Sequence, residues 1–229
     1  KAAADAKIKR VVLTSSIAAV SANPHAGKMI QSEADWSDPL FPTINAYGLS
    51  KTLAERAAWD FAVDKDIELI AINPTMVLGP TLEPDYGSSL EALVLLMSGR
   101  YPLLPKLSMG IVDVRDVAIL HRLAFEYGNA GSRLLCSHGH MSLLEIATLL
   151  GREIPSLGKQ LPRHELPSFI FRALAKFNPV LATIVPDLDK IVEYDCAPAF
   201  HLGWQPRPIE EAIICGATSL IEHGVITIN

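Results

Sequence analysis

The order strand, helix, strand in the first third of this 229-residue chain constrains its fold more than any other feature. Lys9-Arg10-Val11-Val12-Leu13-Thr14-Ser15-Ser16 is a β-branched run that ends in three hydroxyls. Ile67-Glu68-Leu69-Ile70-Ala71-Ile72-Asn73 is a second strand-like run. Between them, the residues from Asn45 to about Ala62 read as a helix, with Leu49, Leu53, Ala57 and Phe61 recurring every four positions as an apolar stripe for the sheet. Two neighbouring strands joined through a helix lie parallel, with a right-handed crossover. The pattern therefore predicts a doubly wound α/β sheet. Ligands of such sheets gather outside the carboxyl ends of the strands, where Thr14, Ser15 and Ser16 fall.

Tyr47 and Lys51 stand four residues apart on the helix, which puts a phenol and an ammonium on one face. A phenol in water keeps its proton to about pH 10. It relays protons at neutral pH only where a fixed cation stabilises the phenolate, and Lys51 is placed to do so. The spacing is weak evidence alone and gains weight from its neighbours. Thr14-Ser15-Ser16 ending a strand, Tyr47-Gly48-Leu49-Ser50-Lys51 opening a helix, and Ile72-Asn73-Pro74-Thr75-Met76-Val77-Leu78-Gly79-Pro80 after the next strand follow one another in order. Together they resemble the extended short-chain dehydrogenase/reductase superfamily, also called the NAD-dependent epimerase/dehydratase superfamily.

Three further stretches narrow the resemblance. Gly110-Ile111-Val112-Asp113-Val114-Arg115-Asp116-Val117-Ala118 is similar to a motif of bacterial and fungal aldehyde reductases related to dihydroflavonol-4-reductase. Ser32-Glu33-Ala34-Asp35-Trp36-Ser37-Asp38 resembles an acidic-Trp segment of the dihydroflavonol and cinnamoyl-CoA reductase branch, with Trp36 read as a packing anchor. Leu202-Gly203-Trp204-Gln205-Pro206 resembles the superfamily's closing motif, although Asp195-Cys196-Ala197-Pro198 stands where many relatives carry Ser-Lys.

The resemblance implies the C-terminal portion of a Rossmann-type fold with a smaller substrate-binding lid domain. Residues 1–80 would form the second half of the dinucleotide-binding domain. Residues 81–229 would form mostly the lid, with segments near 108–137 returning to the sheet. It implies an NAD(P)H-dependent carbonyl reductase acting on a dihydroflavonol-like or small aromatic or aliphatic aldehyde or ketone, with NADPH favoured over NADH. Ser16, Tyr47 and Lys51 would be catalytic. Ser16 is chosen over Ser15 because the family places its catalytic hydroxyl at the second serine, and alternation sends only one of the two toward the cofactor. Thr14, Ser15, Tyr47, Lys51, Pro74, Thr75 and Val77 would lie on the cofactor side. Tyr86 and Leu90, in the piece inserted after the second strand, would wall the substrate pocket, or else pack in the core. A homodimer through the Tyr47 helix is usual in this superfamily. A nucleotide-sugar epimerase or dehydratase uses the same three residues, and a non-catalytic nucleotide sensor or an inactive fragment shares the fold, so these readings stay open.

Composition removes other classes. A net charge of −5 argues against a nucleic-acid surface. Three cysteines without a Cys-x-x-Cys suggest reduced thiols and the cytoplasm. Neither a signal peptide nor an apolar span of membrane length is legible. His138-Gly139-His140 lacks a third metal ligand at sensible spacing, so no metal is expected. Asp113 and Asp116 are read as helix-capping carboxylates. Ser88-Ser89 is read as the cap of a helix running to Ser98, and 141–152 as another helix. Pro24, Gly27, Pro39 and Pro42 mark 17–43 as irregular. The stretch 167–179 is an apolar helix assigned to the lid. Lys1 to Lys9 read as the end of a helix, and no Gly-rich strand-to-helix turn occurs. The expectation is a C-terminal portion of a longer enzyme.

Overall fold

The computed structural model describes residues 1–22 and 30–228; Pro24 and Gly27 lie outside the described residues. In chain order the elements are α1 (Ala2–Asp5), β1 (Arg10–Thr14), β2 (Ile30–Gln31), α2 (Ala46–Asp64), β3 (Glu68–Pro74), β4 (Met76–Leu78), α3 (Ser88–Met97), β5 (Leu103–Leu104), β6 (Ser108–Asp113) and α4 (Val114–Tyr127). They continue with β7 (Arg133–Cys136), β8 (Gly139–Ser142), α5 (Leu143–Glu153), β9 (His164–Glu165), α6 (Ser168–Ala175), α7 (Pro179–Ala182), β10 (Glu193–Tyr194), α8 (Ala197–His201) and α9 (Ile209–Glu222). Two compact units divide the chain. One holds Lys1–Thr75, Arg115–Ser137 and Val192–Pro206, and the other Met76–Val114, His138–Ile191 and Arg207–Asn229.

The first unit is built on a parallel sheet in the order β1-β3-β7. Its register pairs Thr14 with Ile72, and Pro74 with Cys136, so the three carboxyl ends gather at one edge. In β3, Leu69, Ile70, Ala71 and Ile72 are all buried, the continuous apolar run of a strand covered on both faces. The β1–α2–β3 crossover predicted from the sequence is present.

Helix α2 starts where its cap residue dictates, with Asn45 Oδ1 accepting from the Gly48 N–H at 2.7 Å. Its buried face is not the predicted Leu-Leu-Ala-Phe stripe. Gly48, Thr52, Glu55 and Ala62 are buried, whereas Leu53 is 51% exposed and Ala57 is exposed. The reason is local chemistry. Thr52 returns its hydroxyl to the Gly48 carbonyl at 2.7 Å, and Glu55 finds donors inside, so the inner face can be small and polar. Trp204 of the closing motif is fully buried and donates its indole N–H to the Asp116 carbonyl at 2.9 Å.

The second unit has a mixed sheet in which β4 runs parallel to β6 and β6 antiparallel to β8, beside a short β5–β9 pair. Leu78, Leu93, Ile111, Ile146, Leu150, Ile213 and Leu220 fill its core from β4, α3, β6, α5 and α9. The stretch 139–142, its last two residues expected to open a helix, is strand β8, and α5 begins after it with a full Ser142–Glu145 capping box. Helix α3 begins after Gly87 with no side-chain cap, so Ser88 and Ser89 lie inside the helix and do not cap it. The apolar stretch 167–179 forms α6 and the start of α7, leaving Phe169 and Phe177 exposed. Among the described residues, no helix is long and apolar enough to cross a membrane.

Candidate active site

Beyond β1 the chain turns at Ser16, whose Oγ accepts the Ala18 N–H at 3.2 Å and starts the short 3₁₀ turn Ile17–Ala19. That turn packs against α2, and the first turn of α2 carries Tyr47. The Tyr47 hydroxyl donates to Ser16 Oγ at 3.4 Å. Lys51, one turn further on, places its ammonium 5.9 Å from the Tyr47 ring centroid. Ser16 is 7% exposed and Tyr47 53% exposed, so a fixed hydroxyl meets a phenol that another molecule can reach. The three residues expected to be catalytic are thus brought together. Chemically, the group can deliver a proton to an oxygen held by Ser16, with a cation beside the phenol to stabilise the charge left behind.

Thr14 and Ser15 diverge, as alternation along a strand requires. Thr14 Oγ1 is 2.7 Å from His121 Nε2, and His121 Nδ1 is 2.8 Å from the Val117 carbonyl. A carbonyl only accepts, so Nδ1 carries a proton, and in the neutral ring Nε2 accepts from Thr14. Ser15, expected on the cofactor side, turns its hydroxyl inward to donate to Glu55 and is buried. Pro74 ends β3. Thr75 follows with its N–H on the Cys136 carbonyl at 3.0 Å and its hydroxyl 3.3 Å from Ser137 Oγ.

Val77, Tyr86 and Leu90 belong to the second unit, where they line one cavity of about 430 Å³ together with Gly79, Glu83 and Asp85. Gly79 has φ +127°, and a Cβ there would stand 2.9 Å from Val114 Cγ1, so a larger residue would be strained at this wall.

Sequence reasoning passed over Glu55, although it follows Tyr47 and Lys51 at the same four-residue interval and so continues their helical face. Its side chain is fully buried and pairs with Arg133 Nε at 2.6 Å. Arg133 also donates to the main-chain oxygens of Glu33 and Asp35 at 2.6 and 2.7 Å, and lies 3.8 Å over the Trp36 ring. Nearby thiols are not nucleophiles. Burial pushes Cys136 well above the ordinary thiol range and raises Cys196 to about 11.

A parallel sheet with a serine, a phenol and an ammonium gathered at one strand's carboxyl end defines an α/β fold of the Rossmann type. The chain belongs to the NAD dependent epimerase/dehydratase family, whose profile matches residues 1–134. It is 39% identical over 170 residues to cinnamoyl-CoA reductase 1 of Arabidopsis thaliana, covering 73% of this chain and 47% of that protein. It is 35% identical over 226 residues to cinnamoyl-CoA reductase 2 of the same plant, covering 97% and 63%. Among solved structures it resembles yeast methylglyoxal/isovaleraldehyde reductase Gre2 complexed with NADPH. The TM-score is 0.74 at 26% identity, over 96% of this chain and 66% of that one. The chain therefore spans about half to two thirds of the length of these relatives.

Proposed function

We propose that the chain is the carbonyl-reducing portion of an NADPH-dependent reductase that converts an aldehyde or ketone to an alcohol. The observation that carries this reading is the Tyr47 hydroxyl 3.4 Å from Ser16 Oγ, with Lys51 beside it. That donor set fits a nicotinamide cofactor, since reduction by hydride needs a proton delivered to the same carbonyl. A reduced nicotinamide, when bound, supplies the hydride. Ser16 Oγ hydrogen-bonds the carbonyl oxygen and orients it. Tyr47 gives that oxygen its proton as negative charge builds there, and Lys51 stabilises the phenolate that remains. Lys51 and Tyr47, with Thr14, Pro74 and Thr75, hold the cofactor in this reading. Ser15, turned to Glu55, supports the site from behind.

Within the second unit, the cavity lined by Tyr86 and Leu90 is the one this reading gives to substrate. Its only charged lining residues among those described, Glu83 and Asp85, are both anionic, which favours an uncharged carbonyl compound. The exposed Leu53 and Ala57 on α2 support a homodimer formed on that face. Cytoplasmic residence accords with three free cysteines, two of them buried.

The test follows absorbance at 340 nm with NADPH, then NADH, against aromatic and aliphatic aldehydes, a dihydroflavonol and UDP-sugars. Consumption of NADPH with a carbonyl substrate is expected. Sugar isomerisation with tightly retained NAD and no net consumption would replace this reading with an epimerase.

A further inference from the structure

We infer that Glu55 is a positioning residue, whose buried carboxylate ties Ser16 to the helix that carries Tyr47 and Lys51. The inference rests on the reading of those three residues as the reacting groups. Four donors converge on this one carboxylate. Arg133 Nε of β7 and Trp59 Nε1 of α2 reach Oε1 at 2.6 and 3.3 Å, while Ser15 Oγ and Asn73 Nδ2 reach Oε2 at 2.5 and 2.7 Å. An ionised carboxylate has about four acceptor directions, and all are used.

Two of these donors lead directly to Ser16. Ser15 is the residue before it, and its N–H is already bonded to the Ile72 carbonyl at 2.8 Å. Asn73 Nδ2 spends its second proton on the Ser16 carbonyl at 3.0 Å. With a carboxylate and a carbonyl both facing that atom, it must be the amide nitrogen and not the oxygen. Asn73 Oδ1 is left buried without a partner among the described residues, an arrangement that the two acceptors dictate. The peptide of Ser16 is thus held from both sides by groups that end on Glu55.

On the other side of the contact, Tyr47, Lys51 and Glu55 occupy successive turns of α2, about 6 Å apart along its axis. Fixing Glu55 against the strand ends fixes the height at which Tyr47 meets Ser16. At 3.4 Å that contact sits near the outer limit of a hydrogen bond, so a small slip of either element breaks it. A buried ion pair is a weak source of stability compared with apolar packing of the same volume, whereas it holds geometry tightly. Those properties suit a positioning role.

The test is a double-mutant cycle with Ser16→Ala, using NADPH and isovaleraldehyde as probes. Glu55→Gln is expected to lower kcat by roughly 10- to 100-fold, with KM for NADPH changed less than about threefold. In the Ser16→Ala background it should cost less than about threefold more, because the group it positions is gone. Losses that simply multiply would show a general structural role and overturn the proposal, as would an unchanged kcat in folded Glu55→Gln. Ser15→Ala removes one tether without touching a charge, and it carries the same cycle if Glu55→Gln fails to fold.

A second readout needs neither cofactor nor turnover. Protein labelled with ζ-¹³C tyrosine is titrated, with the Tyr47 signal assigned by its loss in Tyr47→Phe. Ser15→Ala and Ser16→Ala should displace that signal or its midpoint in the same direction, and the double variant no further than Ser16→Ala alone. A Tyr47 signal indifferent to Ser15→Ala overturns the proposal. If the wild-type protein reduces no carbonyl while the tyrosine cycle behaves as expected, the reductase reading falls and the positioning role stands.

Discussion

The Tyr47 hydroxyl meets Ser16 Oγ at 3.4 Å although 31 residues of chain separate them, because the 3₁₀ turn after β1 packs on the first turns of α2. The phenol oxygen makes no other bond among the described residues, so its removal tests chemistry with little structural disturbance. Tyr47→Phe should lower kcat by about 10² to 10⁴, roughly 3 to 5.5 kcal/mol of barrier. Thermal denaturation should be nearly unchanged. A folded Tyr47→Phe with wild-type turnover would remove Tyr47 as the acid.

Arg133 pairs with a fully buried carboxylate, so cutting it to an apolar chain leaves a charge stranded. Arg133→Met is expected to destabilise the protein by about 3 to 5 kcal/mol, measured by urea denaturation. Because Arg133 also binds the Glu33 and Asp35 carbonyls under the Trp36 ring, loss of order in that loop should accompany it and appear as faster proteolysis there.

The capping box at α5 gives a pH dependence with a definite sign. The main-chain N–H of Ser142, then its hydroxyl, hold Glu145 below its ordinary 4.5. A depressed carboxylate contributes stability that is present above the unfolded value and lost as pH falls through the lower folded value. Glu145→Gln should lower stability at neutral pH and leave it little changed well below pH 4.5, so that the acid limb of the stability curve flattens. Ser142→Ala should cost about 1 kcal/mol at neutral pH.

Burial places Cys136 and Cys196 in the protonated, shielded state. Iodoacetamide at pH 8 should leave both unmodified in the native protein and alkylate all three cysteines in denaturant, read by mass spectrometry of peptides. Modification of native Cys136 would mean that the end of β7 opens.

The acidic lining of the Val77–Leu90 cavity predicts selectivity by charge. Benzaldehyde should be reduced with higher kcat/KM than 4-carboxybenzaldehyde. Glu83→Lys with Asp85→Lys should narrow that ratio by roughly 3- to 10-fold at low salt, and by less at high salt. A ratio insensitive to both substitutions would place substrate elsewhere.

Features set by neighbours along the chain were legible in the sequence. The β-branched runs became β1 and β3, Asn45 capped α2, and the four-residue spacing of Tyr47 and Lys51 put both on one face, because strand propensity, capping and helical period act over a few residues. The order of the three opening motifs carried the family as well. Tertiary structure alone decided the rest. Leu53 lies outside and Glu55 inside because the carboxylate's main partner, Arg133, is 78 residues away on a strand that the sheet order brings alongside β3. Ser16 is chosen over Ser15 from the resemblance and from strand alternation, but that Ser15 turns away from the cofactor side depended on its finding that same carboxylate. A periodicity scores residues by apolarity and has no account of a polar group satisfied by distant donors, so the inner face of α2 could be read only once β1, β3 and β7 stood side by side.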